Sequence, residues 1–227
     1  MARFVAAYKL PRGWRVVLRA SEPFQKIHMD TAGPTEDSWS GAQHAYFSLE
    51  DKSRGIRMSG GKSTASTDGR AATIQQYGRE KGPTKIVETD GGPEYEGEFH
   101  EYVVDVMKAH HEISLPNRST NREMERAVRT GIELGRVGVY QSGLEYGSWE
   151  MATKMQCHNY CLTTVNENGL VPWQIMRRTD QAPPRPVGFG ERVLFRIRRF
   201  RSRSSTCSLW KGVPPPTPGS LASPFFI

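Results

Sequence analysis

The sequence predicts an α/β fold, a mixed β-sheet flanked by helices. Three strand patterns adjoin one another in the first third of the 227 residues, and a helical pattern, a buried strand and further helices follow them. Glycine, proline and other turn residues separate these elements. Together the elements describe one mixed sheet domain of about 150 residues.

The predicted strands are short, and several of them end at glycine or proline. Gly33-Pro34 ends the first strand, Gly91-Gly92-Pro93 ends the fourth, and a short fifth strand precedes Pro116. The five predicted strands cover residues 24–32, 43–49, 55–59, 84–89 and 111–114.

The predicted helices carry apolar residues at helical spacing. Ser119 or Thr120 can cap the longest of them, with Glu123 in its first turn. Another helix is predicted to end at His110-His111. The four predicted helices cover residues 64–79, 97–110, 119–139 and 148–164.

Charge is unevenly distributed along the chain. The sequence holds 31 Lys and Arg against 24 Asp and Glu, a formal net charge of +7. Residues 27–184 are net acidic at −5, whereas residues 1–26 and 185–211 carry +5 and +7. Cationic flanks suit a polyanion such as DNA or RNA. Solvated, partly disordered arms are the alternative interpretation of each flank.

Composition excludes several classes of protein. No apolar run approaches the roughly 20 residues of a membrane span, and the first twenty residues lack the apolar stretch of a secretory signal. Three cysteines, Cys157, Cys161 and Cys207, do not make a disulfide framework and indicate a reducing compartment. We therefore expect a protein of the nucleus or cytoplasm that is neither secreted nor inserted in a membrane.

Three carboxylates lie where this architecture would bring them together. Asp30 lies inside the first strand, Asp90 directly follows the fourth, and Glu125 lies in the first turns of the long helix. Converging carboxylates can hold Mg²⁺ or Mn²⁺, because these hard cations prefer oxygen ligands. Two such ions about 3.5–4 Å apart can clamp the attacking and leaving oxygens of a phosphoryl transfer.

The segments around the three acids resemble the motifs of integrase catalytic cores from retroviruses and from Copia- and Gypsy-type retrotransposons. The segment 28–34, HMDTAGP, looks like the opening H-x-D-x-x-G-P motif. The segment 89–95, TDGGPEY, resembles the second motif, and the segment 121–126, NREMER, resembles the third, N-G-x-x-E-R. Glu125 follows Asp90 by 35 positions, close to the interval of the family. The resemblance covers roughly residues 20–180.

This resemblance implies an RNase H-like fold, with a mixed five-stranded sheet flanked by helices. It implies that Asp30, Asp90 and Glu125 bind two Mg²⁺ (or Mn²⁺) ions, with Asp30 bridging both. The implied activity is trimming of a retrotransposon's DNA ends and their transfer into target DNA, by a two-metal polynucleotidyl transferase of the DDE type. The implied partners are those DNAs and further copies of the same chain.

Each acid also has a structural interpretation. Asp30 could be a hydrogen-bonded aspartate in a strand, and Asp90 could simply shape an Asp-Gly turn. Glu125 could pair with Arg129 at i,i+4 on the helix surface. Glu123 is the rival ligand, but residues two apart on a helix point about 200° apart, so both cannot face one metal pair. The arginine after Glu125, as in the family motif, favours Glu125.

Arginines near Glu125 and in the carboxyl-terminal basic segment are the candidate DNA ligands. Arg126 and Arg129 adjoin Glu125 on the long helix. A short basic strand over residues 191–198 would place arginines on one face, free for phosphates. The predicted DNA-binding residues in this segment are Arg192, Arg196, Arg198 and Arg199.

Four regions follow from this interpretation. Residues 1–20 form a basic amino-terminal extension, and residues 21–180 form the catalytic core. Residues 181–203 combine a Pro-rich linker with the basic segment, and residues 204–227 form a Ser/Pro tail that is predicted to be disordered.

An inactive, domesticated or truncated integrase remnant that only binds nucleic acid is the alternative function. Arg122 stands where the family motif has glycine, and no cysteine of a zinc-binding module precedes Cys157.

Two other patterns carry weaker predictions. Cys157 and Cys161 lie at i,i+4 on a predicted helix, but His158 would point away from their face, so buried structural cysteines are favoured over a zinc site. The segment 60–64, GGKST, ends like a P-loop but lacks the earlier glycine at the required offset. We expect a strand-to-helix turn there rather than a nucleotide site.

Overall fold

Five strands form one mixed sheet in the order β3-β2-β1-β4-β5. A computed structural model describes residues 19–81, 84–114 and 119–191, with side chains for all of these except residues 78–81 and 119–121. The strands are β1 (Lys26–Ala32), β2 (His44–Glu50), β3 (Ile56–Gly61), β4 (Ile86–Thr89) and β5 (His110–Ile113). The mixed five-stranded sheet predicted from the sequence is confirmed.

The strand directions follow from the connections between the strands. β1, β2 and β3 are joined by loops and pair antiparallel, whereas β4 returns after a helix and pairs parallel with β1. β5 extends the parallel part of the sheet beyond β4. The register places Met29 opposite Thr89, so the carboxyl ends of β1 and β4 lie side by side.

Within residues 19–81, 84–114 and 119–191, five α-helices accompany the sheet. They are α1 (Thr67–Lys81), α2 (Glu98–Glu101), α3 (Ser119–Ser142), α4 (Trp149–Thr163) and α5 (Pro172–Arg177). α3 and α4 form the most extensively packed pair of helices, and α4 also packs against β3. The sequence prediction located α1, α3 and α4 and did not include α5.

The two faces of the sheet bury different apolar sets because strand side chains alternate. Ile27 and Met29 of β1 pack with Ile74 and Tyr77 of α1. On the other face, Phe47 of β2 packs with residues of α3 and α4. The alternate residues of β1, which include Asp30, therefore point toward α3.

Glycines allow α3 to lie close to its neighbours. A methyl group on Gly131 would meet the Phe47 ring at 2.4 Å, and one on Gly135 would meet Thr153 Oγ1 of α4 at 2.1 Å. Real Cβ atoms do not approach other atoms so closely, so these two positions require glycine at the observed helix separation.

The predicted helix over residues 97–110 continues only to Val106 and is wrong over residues 107–110. The α-helix ends after Glu101, a π-helical turn covers Tyr102–Val106, and Lys108 has a left-handed φ of 55°. His110 and His111 do not end a helix, because they pair with β4 as part of strand β5. The pairing of β5 with the sheet overrides the local helical pattern, and His111 is buried.

Candidate active site

The three acids predicted from the motifs line one pocket on the α3 face of the sheet. Asp30 lies near the carboxyl end of β1, Asp90 follows the last residue of the neighbouring β4, and Glu125 lies in the second turn of α3. The pocket has a volume of about 80 Å³, and its other lining residues include His28, Glu88, Ser114 and Met124. The topology therefore brings together residues that are far apart in the sequence.

Asp30 has a raised pKa in this pocket. Burial raises the pKa of Asp30 to about 6, and the negative charges of Asp90, Glu125 and Glu94 add to the rise. A hydrogen bond from the Thr31 backbone N–H to Asp30 Oδ1, of 2.7 Å, acts in the opposite direction. The rise therefore reflects chiefly the burial of Asp30, with a smaller contribution from the acids near the carboxyl ends of β1 and β4.

The loop after Asp90 is held against β1. Asp90 Oδ1 accepts a long hydrogen bond of 3.4 Å from the Gly92 backbone N–H, as an Asp-Gly turn would. Tyr95 is buried, and its hydroxyl lies 3.0 Å from Thr31 Oγ1, beside Asp30. Asp90 itself remains exposed at the mouth of the pocket.

Glu123 and Glu125 lie in different surroundings. Glu123 Oε2 lies 2.9 Å from Arg54 Nη1 in an ion pair, and Glu123 is not among the residues that line the pocket. Glu125 is exposed and lines the pocket with Asp30 and Asp90. The structure thus places Glu125, and not Glu123, beside the other two acids.

The donor chemistry of the pocket fits a hard divalent cation. Asp30, Asp90 and Glu125 supply carboxylate oxygens, the ligand type that Mg²⁺ and Mn²⁺ prefer. Among the described residues, no three His, Cys, Asp or Glu side chains lie close enough together to hold a single ion. The carboxylates therefore share a pocket without closing around one point.

A buried network of charged side chains lies beneath the pocket, and the sequence analysis missed it. His28 Nε2 lies 2.9 Å from Asp51 Oδ1, and His28 Nδ1 lies 3.6 Å from Glu88 Oε2. Lys26 pairs with Glu88 and, at 2.7 Å, with Glu112. A sequence signal existed, since His28 and Glu88 lie two residues before Asp30 and Asp90 and so share their face of the sheet.

The candidate DNA-binding arginines are only partly within the described residues. Arg126 and Arg129 are exposed on α3, beyond Glu125. Arg122, the departure from the family motif, is also exposed. The other four predicted ligands, Arg192, Arg196, Arg198 and Arg199, lie outside the described residues, as do residues 1–18 and the tail.

Two weaker predictions can be compared with the structure. Cys157 and Cys161 are buried free thiols, and burial raises the pKa of both, that of Cys157 to about 12. They are structural cysteines, as predicted. The 60–64 segment is a strand-to-helix turn, because β3 ends at Gly61 and α1 begins at Thr67.

Solved structures with a similar fold are retroviral integrase catalytic cores. The HTLV-2 integrase core in complex with magnesium aligns with a TM-score of 0.56 and 16% identity, over 70% of this chain and 99% of that chain. The BIV integrase core aligns with a TM-score of 0.53 and 16% identity, over 68% and 95%.

A chain from a larger viral integrase assembly also has a similar fold. An integrase chain from a simian T-cell lymphotropic virus intasome, in complex with the PP2A regulatory subunit B56 gamma, aligns with a TM-score of 0.60. The identity is 17%, over 81% of this chain and 64% of that chain. No protein-family model matches the sequence, and no curated protein is significantly similar to it.

The chain therefore has the RNase H-like fold of integrase catalytic cores, as the resemblance implied. Identities of 16–17% show the fold alone. Within the described part of the chain, no helix has both the length and the apolar character needed to cross a membrane.

Proposed function

We propose that the protein is a divalent-metal-dependent polynucleotidyl transferase of the integrase type, which trims the DNA ends of a retrotransposon and joins them to target DNA. The observation that carries this proposal is the meeting of Asp30, Asp90 and Glu125 in one pocket of an integrase-core fold. Their positions at two strand ends and a helix start suit oxygen ligands for a phosphoryl transfer.

Asp30, Asp90 and Glu125 would hold the Mg²⁺ or Mn²⁺ ions. Bound there, the ions would polarise the attacking hydroxyl and offset the negative charge of the phosphodiester. Asp30 would supply carboxylate oxygens to both ions. Burial and neighbouring carboxylates raise the pKa of Asp30 to about 6, so a fraction of the molecules carries a proton on Asp30 at mildly acidic pH. A cation would compete with that proton.

The rest of the pocket would hold these acids in place. The Thr31 backbone N–H fixes one oxygen of Asp30, and the Tyr95 hydroxyl ties the loop after Asp90 to β1. The exposed Arg126 and Arg129 would contact DNA phosphates next to Glu125. Arg192, Arg196, Arg198 and Arg199 would add affinity that is independent of DNA sequence, since residues 27–184 are net acidic.

The test is a strand-transfer assay on a model DNA duplex with Mn²⁺. Asp90→Asn should abolish transfer while DNA binding is retained, because it removes a ligand charge and leaves the fold intact. Asp105→Asn is the matched control, since Asp105 is an exposed aspartate of the π-helical turn outside the pocket. Undiminished transfer by Asp90→Asn would overturn the assignment.

Self-association and a nuclear or cytoplasmic location belong to the same proposal. The neighbouring HTLV-2 cores have trimeric and dimeric forms, and the simian virus chain belongs to an intasome. We propose that this chain likewise acts as a homo-oligomer on DNA. Light scattering with and without duplex DNA would measure the number of copies, and a monomer in both conditions would contradict it.

A nucleic-acid-binding remnant without activity is the second candidate. The geometry that favours it is the separation of the pocket carboxylates, since no three of the acidic, histidine or cysteine side chains in the described ranges approach one point closely enough for an ion. DNA binding that is unchanged by Mn²⁺, together with no heat of Mn²⁺ binding, would select this candidate over the transferase.

A further inference from the structure

A second pocket lies on the opposite face of the sheet, where α1, α4 and α5 meet β3. Its volume is about 130 Å³, larger than that of the carboxylate pocket. Its lining combines aromatic and cationic side chains, and the main ones are Phe24, Arg57, Tyr77, His158, Trp173 and Arg177. Such a lining suits a ligand that carries negative charge.

Arg57 is the central cation of this pocket. Its Nη1 donates to Cys161 Sγ at 3.3 Å, and its guanidinium lies over the Tyr77 ring at 5.8 Å. Burial raises the pKa of Cys161, so that its thiol is neutral and carries no charge to balance the arginine. Arg57 is half-buried, and among the described residues it pairs with no carboxylate. A partly desolvated guanidinium in this state favours an anionic partner.

The surrounding groups leave the pocket electropositive. The pKa of His158 is lowered by burial and by the positive charges of Arg57 and Arg177. Arg177 lies over the Trp173 ring at 5.1 Å, on the pocket wall. Two cationic side chains, Arg57 and Arg177, therefore make the electrostatic potential at His158 positive.

The buried carboxylate nearest to this region is already satisfied. Glu50 is fully buried, and its oxygens accept hydrogen bonds from the backbone N–H groups of Phe24 at 2.9 Å, Lys52 at 3.2 Å and Ser53 at 2.6 Å. These bonds hold the Glu50 carboxylate against the residues that precede β1 and those that follow β2. Glu50 therefore does not serve as the partner of Arg57.

We propose that this pocket binds a phosphate group, with the Arg57 guanidinium as the main ligand and His158 and Arg177 beside it. A planar guanidinium matches two phosphate oxygens, which explains an arginine rather than a lysine at the centre. Arg57 is in register with Ser48 of β2 and Met29 of β1, so its side chain lies on the α1 face of the sheet, whereas Asp30 points to the opposite face. The bound phosphate is therefore distinct from any phosphate that reacts at the carboxylates.

The test observes His158 by nuclear magnetic resonance while inorganic phosphate is added at constant ionic strength. The wild-type protein should show a saturable shift of the His158 ring signals, with chloride giving none. Arg57→Gln should weaken phosphate binding by about tenfold or more, as expected when a charge-assisted hydrogen bond is lost. Arg57→Lys, which keeps the charge, should bind with intermediate affinity and guards against simple misfolding of Arg57→Gln.

Two control variants distinguish a change at this pocket from changes elsewhere in the protein. Arg136→Gln, a change at an exposed arginine of α3, should leave phosphate binding unaltered. Asp90→Asn should also leave it unaltered, so the phosphate site can fail or hold independently of the transferase proposal. No saturable shift in the wild type, or equal affinity in wild type and Arg57→Gln, would overturn the proposal.

The salt dependence of DNA binding shows whether the phosphate group belongs to the DNA backbone or to a free phosphate compound. If the group belongs to the DNA backbone, Arg57→Gln should reduce the slope of log affinity for duplex DNA against log salt by about 0.9. If it belongs to a free phosphate compound, the slope should remain unchanged while inorganic phosphate still shifts His158. Both results uphold a phosphate site and assign its ligand.

Discussion

Arg54 Nη1 lies 2.9 Å from Glu123 Oε2 and so joins the turn after β2 to the first turns of α3. Glu125 lies two residues farther along α3, which rotates its side chain by about 200° relative to Glu123. The ion pair therefore supports the rotation of α3 that brings Glu125 to the pocket of Asp30 and Asp90, a rotation that also buries Met124 and Ala127 in the core.

This pair is expected to stabilise the fold measurably. Its side chains are only 22% and 16% exposed, so a double-mutant cycle with Arg54→Gln and Glu123→Gln should give a coupling of about 1–2 kcal/mol in urea unfolding. Arg178 and Glu22 pair at 2.8 Å but are 62% and 64% exposed, and their cycle should give about 0–0.5 kcal/mol. Equal coupling in the two cycles would contradict the structural role of Arg54.

Two glycines of α3 give a contrasting pair of predictions. Gly135→Ala should lower the free energy of unfolding by about 1–3 kcal/mol, because the new methyl group would collide with Thr153 of α4. Gly138→Ala meets the flexible Gln156 side chain at 3.1 Å and should be neutral or stabilising, since alanine favours helix over glycine by about 1 kcal/mol. Thermal unfolding measures both, and a stabilising Gly135→Ala would refute the close packing of α3 on α4.

The raised pKa of Asp30 predicts a pH-dependent effect of Asp30→Asn on the metal-free protein. The stability that belongs to the protonated form is fully present below about pH 3.8 and is lost as the pH rises through about 6. Relative to wild type, Asp30→Asn should therefore gain stability between these pH values, by up to roughly 3 kcal/mol. Urea unfolding in the presence of a chelator measures this difference, and a difference that is constant with pH would disprove the raised pKa of Asp30.

His111 predicts a different dependence on pH. Its Nε2 lies 2.9 Å from Thr89 Oγ1 and its Nδ1 lies 2.9 Å from His100 Nδ1. Burial, His100 and His110 lower the pKa of His111, so stability is lost as the pH falls below its unfolded value of about 6.5. His111→Gln should reduce this loss, as measured by urea midpoints across pH. His110→Gln, at an exposed position of the same strand, should retain most of it.

Local patterns were sufficient to predict most of the fold. Strand and helix patterns located five strands and three main helices, although β2 is buried at all of its positions and does not alternate. The pattern failed at His110-His111, where β5 replaces the predicted end of a helix that is π-helical over Tyr102–Val106. The pairing of β5 with β4 outweighed the local helical pattern, and this pairing joins residues that are far apart in the sequence.

The candidate site was predictable from the sequence only where its residues belong to motifs. Motifs and spacing selected Asp30, Asp90 and Glu125, and the structure places them around one pocket. The Arg54–Glu123 pair could not be found from sequence, because 69 residues separate its members and Arg54 belongs to no motif. The phosphate pocket likewise depends on residues from four separate elements.

Calorimetric titration of the protein with Mn²⁺ tests the central claim most directly, because it measures the carboxylate pocket without requiring a particular DNA. The wild type should bind Mn²⁺ with measurable heat, and Glu125→Gln should weaken that binding severalfold or more. Glu133→Gln, at an exposed glutamate two turns farther along α3, should bind as the wild type does. If the wild type binds no Mn²⁺, or if Glu125→Gln and Glu133→Gln bind it equally well, the pocket of Asp30, Asp90 and Glu125 is not a metal site.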